Sequence, residues 1–178
     1  IVDGVLIKER RNESGAKVYG ANLEGKMAFR DLLQLQAGVT LQRSLYNEAH
    51  RWAEDVEAVR QMFRTPDAYG YFVGTVTPCE PLSLSLSGTY TGSMLVEHHA
   101  GYIDSDRTEQ TPSFFELNFK AAYGFRLYRH TTLQISAGVQ NILNSYQKDF
   151  DKGAARDSGY IYGPSAPRSL FCGVKLSY

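Results

Sequence analysis

The sequence predicts an all-β protein, an antiparallel meander of about eight long strands. Two-residue alternation of apolar and polar side chains runs through most of the chain, the period that places successive residues on opposite faces of a strand. Several of the alternating runs span about 14 residues, against the usual 5–6 of soluble strands. The connections between runs alternate between short turns and long polar loops.

The clearest run covers residues 82–96, where Leu82, Leu84, Leu86, Gly88, Tyr90, Gly92, Met94 and Val96 oppose Ser83, Ser85, Ser87, Thr89, Thr91, Ser93 and Leu95. Residues 113–128 set Phe115, Leu117, Phe119, Ala121, Tyr123, Phe125 and Leu127 against Glu116, Asn118, Lys120, Gly124 and Arg126. Residues 17–30, 33–45, 132–140 and 170–178 repeat the pattern. Residues 70–77 read as a strand whose facing is ambiguous, and residues 1–8 complete the count. One long connection carries a helix signal near residues 48–63. Asn47 is the expected N-cap, and Trp52, Val56, Val59 and Phe63 fall on one helical face.

Run length separates two readings of the alternation. At about 3.3 Å per residue and a tilt of about 45°, 14 residues rise roughly 33 Å, enough to cross the apolar band of an outer membrane. Aromatics gather toward run ends (Tyr19, Phe29, Phe115, Tyr128, Tyr178), where a membrane barrel carries its girdles. A soluble sandwich would need shorter strands and apolar faces packed on one another. The short connections (30–31, 78–81, 129–131) and the long ones (9–16, 46–68, 97–112, 141–167) fit one topology, with long loops outside and short turns in the periplasm. The expected location is therefore the outer membrane, with its lipid as a partner.

Composition narrows the function. The 178 residues carry 19 Lys+Arg and 19 Asp+Glu, so a strongly basic nucleic-acid binder is excluded. No apolar run approaches the roughly 18 residues of a membrane helix. Cys79 and Cys172 are predicted too far apart for a disulfide. The opening at Ile1, inside a strand-like run, reads as a piece of a longer chain. No nucleophile–base arrangement stands out, so the protein is not expected to be an enzyme. His98-His99 beside Glu97 could reach a metal only singly, because adjacent residues point apart on an extended chain. Asp149-Phe150-Asp151-Lys152-Gly153 opens like a calcium loop but lacks the closing Glu. Neither a metal nor a cofactor is expected.

The C-terminal third carries the most specific pattern. Gly138-Val139-Gln140-Asn141-Ile142-Leu143-Asn144-Ser145-Tyr146-Gln147, then Asp149-Phe150-Asp151 and Arg156-Asp157, then Tyr162-Gly163-Pro164-Ser165-Ala166-Pro167-Arg168, resembles the end of a TonB-dependent outer-membrane receptor. There a strand ending in V-x-N-(I/L)-x-N enters the last outside loop, and Y-G-x-x-x-P-R leads into the final strand. Arg64-Thr65-Pro66-Asp67 and Tyr90-Thr91-Gly92-Ser93-Met94 are similar to the Bacteroidetes-type members. The end, with Gly173, Leu176 and Tyr178, resembles a barrel-assembly signal, although Phe171 stands where a polar residue is usual.

The resemblance implies that residues 1–178 are the C-terminal portion of a 22-stranded barrel whose plug domain lies outside this sequence. It implies import of a scarce nutrient complex such as a ferric siderophore, haem or cobalamin. The implied partners are the barrel-assembly machinery, the rest of the receptor with its plug and, through the plug, TonB. Exposed loop residues would face the ligand: Trp52, His98, His99, Tyr102, Tyr146, Arg156 and Tyr160. The alternative is a self-contained eight-stranded barrel serving as anchor or adhesin, whose lumen Ser83, Ser85, Ser87, Thr89, Thr91 and Ser93 would fill poorly.

Overall fold

The computed structural model describes residues 14–128 and 130–178. Ten strands follow in order: β1 (Ala16–Phe29), β2 (Leu33–His50), β3 (Val59–Gln61), β4 (Ala68–Cys79), β5 (Leu82–Thr91), β6 (Leu95–His98), β7 (Arg107–Gln110), β8 (Phe114–Arg126), β9 (Thr132–Gln140) and β10 (Ser169–Ser177). Eight of them form one antiparallel sheet in the order β1-β2-β4-β5-β8-β9-β10, with short β3 pairing on β2, while β6 and β7 make a separate hairpin. The expected strand at residues 1–8 lies outside the described residues, so β3 takes its place in the number.

Register turns the alternation into two continuous faces. Leu23 pairs with Val39, Val39 with Gly70, and Gly70 with Tyr90. Further along, Leu86 pairs with Phe119, Phe119 with Val139, and Val139 with Leu170. Paired residues share a face, so every apolar set of the seven long strands lies on one side. The facing of β4 follows: Ala68, Gly70, Phe72, Gly74 and Val76 belong to the apolar side. The other side carries Asn22, Glu24, Gln34, Gln36, Thr40, Ser83, Ser85, Ser87, Gln134 and Ser136. On it, the Gln36 amide donates to the Tyr71 hydroxyl at 3.0 Å, which donates to Glu24 at 2.9 Å.

Among the described residues nothing covers the apolar side. Leu23 is 73% exposed, Val174 73% and Leu170 80%, and Leu35, Val39, Leu86, Phe119 and Ile135 are exposed as well. A sandwich would bury these residues against a second sheet. The compact cluster of Met94, Val96 and Tyr160, with Tyr162 against it, instead sits in the long connections.

Glycines let aromatic rings lie across the ladder. A Cβ on Gly138 would fall 2.5 Å from the ring of Phe171 and 2.3 Å from the Phe119 carbonyl oxygen. Phe171, out of keeping with the assembly-signal pattern, thus covers its cross-strand partner Gly138. Phe72 covers Gly88 in the same way.

Two sequence expectations are corrected. The described residues contain no helix, and the one expected near residues 48–63 is replaced by strand and turn. Asn47, its expected N-cap, lies in β2, where its backbone N–H donates to Gly15 and its side-chain amide to Ser14. His50 pairs with Val59 of β3. Ladder pairing takes the two ends of the stretch into β2 and β3, and between them one turn closes from the Val56 N–H to the Ala53 carbonyl. Glu54 and Glu57, like charges three apart, oppose a helix there. The single run expected over 82–96 is two strands: β5 ends at Thr91, and the Gly92 N–H turns to the Ala68 carbonyl at 2.8 Å.

Candidate functional site

Among the described residues every long connection leaves the same end of the sheet. Residues 51–67, 92–113 and 141–168 connect there, and the turns after Phe29, Cys79 and Arg126 lie at the other end. The three long connections interlock into a cap, built as follows.

Asn141 starts the last connection. It adopts φ +51°, a left-handed conformation that Asn tolerates better than most residues. Its carbonyl oxygen side-chain atom accepts from the Ser145 N–H at 2.9 Å, and its amide donates to the carbonyls of Ser145 and Ala166. Asn144, at φ +54°, accepts the Arg168 N–H at 2.9 Å. The two asparagines of the N-x-x-N run therefore fasten the loop's beginning to its end. Buried Gln147 is a strut within it: its amide donates to the Tyr160 carbonyl, and its side-chain oxygen accepts from the N–H of Tyr162.

Arg64 joins the connections to one another. Its backbone N–H donates to Leu95, and its guanidinium donates to the carbonyls of Gly159 (2.6 Å) and Ile161 (2.9 Å). Trp52 donates its indole N–H to the Thr108 hydroxyl at 3.0 Å and meets the His99 ring edge-on.

His98 is 3% exposed and stacks on Tyr160, with centroids 3.6 Å apart and planes 8° from parallel. Its Nε2 lies 3.0 and 3.1 Å from the two oxygens of Asp151. Asp151 also accepts the Asp157 N–H, and Asp157 accepts that of His99. Asp149 accepts the hydroxyls of Tyr160 and Tyr162 at 3.0 and 2.6 Å.

These bonds set the proton affinities. Burial raises Asp149, but the donors Tyr162 and Tyr160 outweigh it and leave the carboxyl below its ordinary value. Asp157 is likewise raised by burial and brought below its ordinary value by the N–H groups of His99 and Gly159 and by the nearby imidazoles. Burial and the Asp149 charge push both tyrosines far upward, so they remain neutral donors.

The cap gathers most of the expected ligand-facing residues. Trp52, His99 and Tyr160 join the interlock directly, with His98 buried at its centre. Tyr102 is exposed on the β6–β7 turn, beside Asp104 and Arg107. Arg156 is exposed and donates to the Gly153 carbonyl. Tyr146 lies apart from His98. It borders an open cleft of about 420 Å³ with Phe114, Lys148, Asp149 and Tyr162, and the Lys148 ammonium sits 5.5 Å from its ring. Gly173 and Leu176 are on edge strand β10, and Tyr178, just beyond it, is fully exposed. Among the described residues no group of three His, Cys, Asp or Glu is arranged to hold a metal ion.

No family model and no curated protein matches the chain. What distinguishes the cap is therefore its own geometry. Arg64 and Gln147 were not among the expected site residues, although both lie in or beside runs that carry the resemblance. Asp149 and Asp151 stood out in the sequence as an incomplete calcium loop and as part of the resemblance, and here they receive donors from tyrosines and a histidine.

Proposed function

We propose that the chain is the C-terminal barrel segment of a TonB-dependent outer-membrane receptor that imports a scarce nutrient complex, such as a ferric siderophore, haem or cobalamin. The observation that carries the reading is the uncovered apolar side of the sheet, continuous over seven strands. Hydrocarbon is the neighbour such a side needs, because large apolar areas facing water are unfavourable. Tyr19, Tyr90 and Phe115 stand on that side near the long connections, and Phe29, Tyr123 and Phe125 near the short turns. From Tyr19 to Phe29 a strand tilted by about 45° rises roughly 23 Å, close to the apolar band of an outer-membrane barrel.

In this reading the cap faces outward. Trp52, His99, Tyr102, Tyr146 and Arg156 are its ligand-facing side chains, with His98 and Tyr160 as their supports. β1 and β10 are the outermost long strands among the described residues, where the remaining strands of the receptor join, and Gly173, Leu176 and Tyr178 are read by the assembly machinery. The plug and TonB act through the rest of the receptor.

The test uses the protein that contains this chain, expressed in its Gram-negative host. It should sediment with the outer membrane, and a Ser158→Cys variant should react with an impermeant maleimide added to intact cells while Cys79 does not. Loss of the gene should abolish growth on one of the three nutrient classes as sole source. A monomer that stays in solution without detergent would overturn the membrane reading. Outer-membrane residence with unchanged growth on all three classes would overturn the import reading and favour the anchor.

A further inference from the structure

His98 occupies a position that its neighbours make sensitive to one proton. It lies at the end of β6, with side-chain exposure of 4%, and Asp151, on the 141–168 connection, has 3%. An ionised carboxylate that deep needs a donor or cation against it. His98 Nε2 meets both Asp151 oxygens, while Nδ1 has no hydrogen-bond partner and lies 3.7 Å from Glu109 Oε1 on β7. A neutral imidazole has one N–H and one lone pair. If Nε2 donates to Asp151, the bare Nδ1 lone pair is turned toward a carboxylate. Protonation supplies N–H groups to both sides.

The other charges around the ring are few. Arg107 on β7 pairs with Glu109. Asp157 lies beyond Asp151 on the same connection, and Asp149 lies beyond the stacked Tyr160. On its own strand the neighbours are Glu97 and His99, the latter turned toward Trp52 and Asp106. Asp149 and Asp157 are held below the ordinary carboxylate value and the two tyrosines far above theirs, so these four keep one charge state between pH 5 and 8.

We propose that His98 is a proton-controlled latch between the 92–113 and 141–168 connections. With the ring protonated, Asp151 and Glu109 are both held and the cap is closed. With the ring neutral, the Nε2–H bond to Asp151 loses the charge assistance of the imidazolium and a bare Nδ1 lone pair faces Glu109, so residues 149–160 are held less tightly against β6. The latch depends only on the geometry of the cap and stands apart from the membrane reading.

Amide hydrogen exchange over residues 149–160, corrected for the intrinsic dependence of exchange on pH, tests it. Protection in the full chain should fall about tenfold between pH 5.5 and 8, the loss expected when the donor of a charge-assisted bond becomes neutral. His98→Gln keeps a donor for Asp151 but does not titrate, and its protection should be the same at both pH values. His99→Gln, one residue along, should keep the step. A flat profile in the unsubstituted chain, or an unchanged step in His98→Gln, overturns the latch. Should His98→Gln fail to form the sheet, Glu109→Gln replaces it: a diminished step supports the latch, and a full step overturns it.

Discussion

Asn141 combines a left-handed backbone with three side-chain hydrogen bonds, and few substitutions could satisfy both demands. Asn141→Ala should cost about 2–3 kcal/mol, from a lost bond network and a conformation alanine resists. Chemical denaturation in detergent measures it. Asn141→Gly, which keeps the conformation and loses the bonds, should cost less. At this scale the sequence was partly legible. The N-x-x-N spacing was visible as a motif, and the structure supplies its reason. Arg64 was visible only as part of the Arg64-Thr65-Pro66-Asp67 run, and its clamping role was not legible because its acceptors at Gly159 and Ile161 are 95 and 97 residues away in the chain. Gln147 closed the run that carries the resemblance, but only the fold shows that its polar side chain is buried.

Among the elements, strands were the readable part. Period-two alternation is a local property, and six of the seven long strands were placed by it, β4 awaiting its partners for a facing. The helix expected near residues 48–63 failed for the opposite reason. Its cap and apolar spacing were local, and the pairing of β2 with β1 and β3 that displaced it was not. Face identity can be tested on β2. Val39, cross-strand from Leu23, is mid-height on the apolar side, and Thr40 is on the other side. Val39→Lys should destabilise the protein in lipid by about 2–4 kcal/mol, the cost of a lysine at the bilayer midplane. Thr40→Lys should stay within about 0.5 kcal/mol. Equal effects of the two in an unfolding titration would mean that both faces meet water.

The whole molecule divides into a sheet whose stability depends on what surrounds it and a cap that holds itself together. The cap's bonds run through carboxylates, so it has an acid limit. Asp149 and Asp157 have folded values below 3.8, which means their stabilisation is present above the unfolded value and is lost as pH falls through the folded ones. Exchange over residues 141–168 should therefore speed up below about pH 4. Asp149→Asn should remove part of that acid step, since its partners Tyr160 and Tyr162 no longer meet a titrating group. Together with the latch at His98, this leaves the cap most closed in mildly acidic conditions. Arg64 adds a different consequence. It grips main-chain oxygens at Gly159 and Ile161, and every amino acid supplies that oxygen. Side chains along this stretch can thus drift through evolution without unfastening the clamp, so new binding preferences can be sampled on a scaffold that stays put.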